Sequence, residues 1–177
     1  YFYIIRNWGD APYIIHAEDV GERGRMAWQD IADAIIDDLK LAVGYLPRVN
    51  DLRDSEGRMI DSKQVPSRGT AFAIMAQVYA WKAALNNEPE LNKLAIAACD
   101  SVIDSGSYAL VGSIKDVCER VMLGNSEEGI FEIDYRNTED DLKSGGSYLA
   151  AFCQSWPIMP NRTPATKRRG LRLDNTT

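Results

Sequence analysis

Apolar side chains recur at helical spacing through most of the first two thirds of the chain. The densest stretch is residues 67–85, SRGTAFAIMAQVYAWKAAL, where Phe72, Met75, Tyr79 and Ala83 share one face. Ile74, Val78, Trp81 and Leu85 fall on another, so this segment is predicted to be a helix with neighbours on several sides. Ala71, Ala73, Ala76, Ala80, Ala83 and Ala84 would let those neighbours approach closely. The sequence Asn86-Asn87-Glu88-Pro89 breaks the helix, and so short a break turns the next helix back antiparallel. That helix, over 89–105, carries Leu91, Leu94, Ala95, Ala98, Val102 and Ile103, with Gly106 as a left-handed cap. Antiparallel helices in contact through small residues are the unit of tetratricopeptide-like repeats, although the consensus of that repeat is not clean here.

Upstream, residues 26–46 show a stripe of Trp28, Ile31, Ile35, Leu39, Ala42 and Leu46, and Pro47 ends it. Before it lies a turn, RNWGDAPY, with Gly9 and Pro12 and a buried Trp8 expected at its centre. Residues 48–64 are charged and read as a surface loop. Ile114, Val117, Val121 and Leu123 predict one further short helix, closed by Gly124. In EGIFEIDY, residues 128–135, Phe131, Ile133 and Tyr135 alternate with Glu132 and Asp134, the pattern of a half-buried strand with acids toward solvent. From Arg136 onward no period survives, and Gly145, Gly146, Pro157, Pro160 and Pro164 mark a long loop segment. The expected fold is therefore mostly α, with an antiparallel helix pair packed in the manner of tetratricopeptide-like repeats, a short β element and long loops. Its organisation is a single region over 1–177, divided into a helical scaffold at 1–135 and a variable loop segment at 136–177.

The formal net charge of −6 speaks against a general nucleic-acid binder, because phosphate repels an acidic surface. Lys167, Arg168, Arg169 and Arg172 make a basic end that reads as a solvated surface. No apolar run approaches the roughly 20 residues that span a bilayer. The opening YFYIIRNWGD lacks a leader's basic flank and cleavage site and reads as the middle of a helix, so a part of a longer protein is expected. Cys99, Cys118 and Cys153 match neither a zinc pattern nor a CxxC pair, and Cys99 is expected inside a helical core.

Little in the sequence points to catalysis. His16 has no serine or cysteine near it in sequence, and there is no phosphate-binding loop, GxGxxG or HExxH. Asp37 and Asp38 point about 100° apart on a helix and read as a solvated face. DLRDSEGRMID superficially resembles a calcium loop, but its oxygen ligands are out of register. The candidate ligand residues are aromatics of the late segment, Tyr148 and Trp156, since aromatic planes cover the C–H faces of sugar rings; Phe152 reads as packing.

Four ordered segments carry a family resemblance. Arg6-Asn7-Trp8-Gly9-Asp10-Ala11-Pro12 looks like an Arg-x-(aromatic)-Gly-Asp-x-Pro turn. Asp38-Leu39-Lys40-Leu41-Ala42 through Leu46-Pro47 is similar to an Asp-Leu-x-x-Ala…Leu-Pro helix end. Ser67-Arg68-Gly69-Thr70-Ala71 through Met75-Ala76-Gln77-Val78-Tyr79 looks like a central helix, and Asn125-Ser126-Glu127-Glu128-Gly129-Ile130-Phe131-Glu132-Ile133 like a strand entry. Together they resemble the SusD/RagB family of outer-membrane glycan-binding lipoproteins. The resemblance implies an α-helical fold built on tetratricopeptide-like helix pairs, with variable loops forming the ligand face, and a non-catalytic role; no cofactor or metal is expected. Its role would be to hold an oligosaccharide or other nutrient at the bacterial cell surface for a SusC-like, TonB-dependent transporter. It further implies attachment to the outer membrane only through a lipid anchor outside this sequence. The alternative expectation is a helical scaffold that binds a protein partner and no sugar.

Overall fold

The structure is a computed structural model that describes residues 1–16, 18 and 21–133. Tyr1–Asp134 forms one compact unit. Its helices are α1 (Phe2–Trp8), α2 (Trp28–Tyr45), α3 (Arg68–Asn86), α4 (Glu90–Ile103) and α5 (Ile114–Glu119), with 3-10 turns at Val49–Asp51 and Val121–Leu123. The described part is thus mostly helical.

α3 is the centre of the fold. It packs most extensively against α4 and next against α2, while α1 leans on α2. Its apolar pattern explains this: Val78 has no exposed surface, and Ala71, Met75, Ala76, Tyr79 and Ala83 are buried around it. Burying a side chain such as Val78 contributes about 2 kcal/mol. From α2 come Ile31, Ala32 and Ile36, from α4 Ala95 and Ala98, and from α1 Ile5. The Trp81 ring meets Trp28 at 4.7 Å and Phe2 at 5.7 Å, both edge-on, so one indole joins α1, α2 and α3. Lys82 of α3 also pairs with Asp33 of α2.

The helix ends follow local chemistry. Thr70 Oγ1 accepts from the Ser67 N–H at 3.1 Å, a reciprocal cap at the start of α3. Asn87, in the left-handed conformation at φ 55°, ends it, and the chain reverses through Glu88 and Pro89 into α4. Gly106 is also left-handed, at φ 63°, just beyond the end of α4.

Some expectations meet a different outcome. Residues 128–133 form no strand, and the described residues contain only isolated bridges, Ala11 with Met26 and Arg53 with Met59. Alternation alone makes no ladder without a partner strand. The backbone bonds of this segment are instead Glu132 N–H to Lys63 O at 3.0 Å and Gly129 N–H to Ser126 O at 3.2 Å. Nor do its acids simply face water: Glu128 accepts from the Val111 N–H at 2.7 Å, and Glu132 accepts from the Asn125 N–H. Trp8 is 65% exposed, and the small Ala11 is the residue that the turn buries. Cys99 is an exposed thiol, because the buried face of α4 is the one carrying Ala95, Ala98 and Val102; Cys118, on α5, is exposed as well. In the short helix region Ile114 and Leu123 are 84% and 82% exposed, so that apolar stripe is not a core stripe.

Candidate functional site

Three of the four segments that stand out in the sequence bond one another, and the fourth, the WGDAP turn, holds the start of α2. Asp10 Oδ1 accepts from the Trp28 N–H at 2.9 Å, so the WGDAP turn caps α2, whose own N-cap residue is Ala27. Paired bonds between Ala11 and Met26, at 3.2 and 2.9 Å, hold that turn in place. At the other end of α2, Leu46 O accepts from Arg68 Nε at 3.1 Å and Pro47 O from the Arg68 N–H at 2.8 Å. Thr70 Oγ1 donates to Ile130 O at 3.4 Å, which ties the start of α3 to the Asn125–Ile133 stretch. Buried Ser126 and left-handed Asn125 shape that stretch, and Asn125 Oδ1 accepts from the Lys63 N–H at 3.1 Å.

A pocket of about 320 Å³ opens where α3 begins and α4 ends. That volume is at the low end of the roughly 300–1,000 Å³ typical of small-molecule sites, so it suits a small molecule better than an extended chain. Val43, Val49 and Phe72 supply its apolar surface. Arg48 and Arg68 line it from the α2–α3 connection, and Asp104, with Ser101 and Ser105, from the end of α4. Tyr108 also lines it, and its hydroxyl lies 3.0 Å from Ser67 Oγ while Lys63 Nζ sits 5.0 Å from its ring centre.

Among the described residues, none forms an ion pair with the charged groups of the pocket. Arg68 uses Nε on Leu46 O, and no described residue pairs with the rest of its guanidinium. Arg48 and Asp104 are exposed, and neither forms an ion pair with a described residue. The serines, in contrast, are engaged locally: Ser101 Oγ donates to Ala97 O at 2.8 Å and Ser105 Oγ to Val102 O at 2.7 Å.

The sequence-predicted ligand residues, Tyr148 and Trp156, lie outside the described residues, as do Phe152, Cys153 and the basic end. Two exposed aromatics that sequence reading did not single out as a ligand surface, Tyr3 and Trp8, meet edge-on at 6.0 Å on α1. His16 is exposed. Asp37 pairs with Lys40 at 2.9 Å, and that hydrogen bond raises the lysine pKa, as expected of a solvated acidic face. The calcium-like loop is closed by Asp54 itself. Its Oδ1 accepts from the Glu56 and Arg58 N–H groups, each at 2.9 Å, and Oδ2 from Arg58 Nε at 2.8 Å. Those bonds, the Arg58 side chain first, hold the Asp54 carboxyl below its ordinary pKa. Among the described residues no group of His, Cys, Asp and Glu side chains could hold a metal ion.

The pocket was not legible as a unit, because Arg48, Arg68, Asp104 and Tyr108 belong to separate segments. The only local signal was the Ser67–Thr70 cap, which fixes Arg68 at the first turn of α3. No family model, curated protein or solved structure matches the chain.

Proposed function

We propose that the chain is part of a SusD/RagB-like protein that binds an oligosaccharide or similar nutrient at the bacterial outer-membrane surface and passes it to a SusC-like, TonB-dependent transporter. What supports the reading is that three of the resembling segments bond one another, the end of α2 with Arg68 and Thr70 with Ile130, while the turn caps the start of α2. Residues that hold helix ends together give a reason for motifs to sit at those places. On this reading α3 and α4 are a tetratricopeptide-like pair, the binding is non-catalytic, and Tyr148 and Trp156 contact the sugar. Calorimetry with a panel of oligosaccharides tests it. Heat of binding that is lost in Trp156→Ala, with the melting temperature unchanged, is the expected result; no heat with any glycan, using the full-length protein, counts against it.

A second reading, a helical scaffold for a protein partner, is favoured by apolar side chains exposed on α4 and α5, among them Ile96, Ile103 and Ile114. Co-purification of a partner protein from native membranes, without any glycan binding, selects this reading.

A further inference from the structure

We propose that the pocket between α2, α3 and α4 binds a small zwitterion of the α-amino-acid class, an inference that does not rest on the oligosaccharide reading above. Arg48 and Arg68 offer guanidinium groups, while Asp104 offers a carboxylate to the same space. Asp104 pairs with neither arginine. Arg68 is restrained by its bonds to Leu46 O and Pro47 O, and Asp104 is fixed at the C-cap of α4.

Helix polarity adds to the same pattern. α3 starts at the pocket, where its end carries partial positive charge beside Arg68, and α4 finishes there, where its end carries partial negative charge beside Asp104. The pocket is therefore dipolar. A ligand carboxylate meets the terminal nitrogens of Arg68, which pair with no described residue, together with Arg48, and a ligand ammonium meets Asp104. Between these groups Val43, Val49 and Phe72 present an apolar surface for the ligand's side chain. A neutral sugar would leave both charges without a counter-charge, and a simple anion would leave Asp104 without one. The volume of about 320 Å³ accommodates an amino acid with a branched apolar side chain.

The test is calorimetry of the whole chain with L-leucine, N-acetyl-leucine, leucine methyl ester and glucuronic acid. Leucine is expected to bind, and blocking either its amine or its carboxylate should weaken binding about tenfold or more, the range of a lost charge-assisted contact. Arg48→Gln and Asp104→Asn should each weaken leucine binding comparably. The ester should be insensitive to Arg48→Gln, and the N-acetyl compound to Asp104→Asn. Both residues are exposed, and an unchanged melting temperature checks that the variants fold; the ligand series needs no variant at all. The proposal is overturned if leucine gives no heat, if leucine binds equally well with either end blocked, or if glucuronic acid binds while leucine does not. Since glycan binding through Trp156 is measured separately, failure of one reading leaves the other standing.

Discussion

The hydroxyl of Tyr108 lies so close to the backbone of Gly69 that a Cβ on Gly69 would sit 2.3 Å from it, with ring atoms Cε2 and Cζ at 2.7 and 2.8 Å. The ring cannot easily retreat, since Ser67 holds its hydroxyl and Lys63 sits over its face. Glycine is needed here for the approach of one chain segment to another. Gly69→Ala gains helix propensity of at most about 1 kcal/mol, against a steric cost of about 1–3 kcal/mol. It should therefore lower the urea midpoint, whereas in a Tyr108→Ala background the same change should be nearly neutral or stabilising. A rise in the midpoint on the wild-type background would sink this account.

Asp10 caps α2 from outside the helix, so its role should survive loss of charge better than loss of the acceptor. Asp10→Ala should cost about 1 kcal/mol, the usual worth of an N-cap, while Asp10→Asn should retain most of that stability. Equal losses in the two variants, measured by chemical denaturation, would show that the bond to the Trp28 N–H is not the cause.

Tyr79 and Leu85 sit on the same helix with different exposure, 7% and 57%. Tyr79→Ala should destabilise by about 3 kcal/mol or more, as for other buried aromatics. Leu85→Ala should stay within about 0.5 kcal/mol, as surface changes do. A loss below about 1 kcal/mol for Tyr79 would undo the packing of α3.

The Asp54 loop should show its chemistry in a pH titration. Hydrogen bonds from Arg58 lower the carboxyl pKa below 3.8, so the folded protein binds this proton less readily than the unfolded chain. The contribution of Asp54 is then present above the ordinary carboxylate value and fades as pH falls through the lowered one. The Glu56 and Arg58 amide signals should titrate with a midpoint below 3.8, moving upward in Arg58→Ala. A midpoint at or above 3.8 in the wild-type protein contradicts the role given to Arg58.

Helical spacing is a local property, and it made α2, α3 and α4 legible with their boundaries nearly right: Pro47 ends one, Ser67 starts the next, and Asn87 and Gly106 mark the reversals. Which turn residue is buried was not local. Trp8 looked like the anchor of its turn, yet the pairing of Ala11 with Met26 sets the geometry and leaves the indole outside. The alternation at residues 128–133 was equally visible. A strand, however, needs a partner from elsewhere in the chain, and none pairs with it among the described residues.

By itself, then, the sequence determined that residues 67–103 fold as two helices joined by a tight reversal, since periodicity and caps act within a few residues of one another. Only the tertiary structure decided that Gly69 must yield its side-chain space to Tyr108, and that Arg48, Arg68 and Asp104 share a pocket without pairing with one another. Those relationships join residues tens of positions apart, and only the packing of α2, α3 and α4 brings them together.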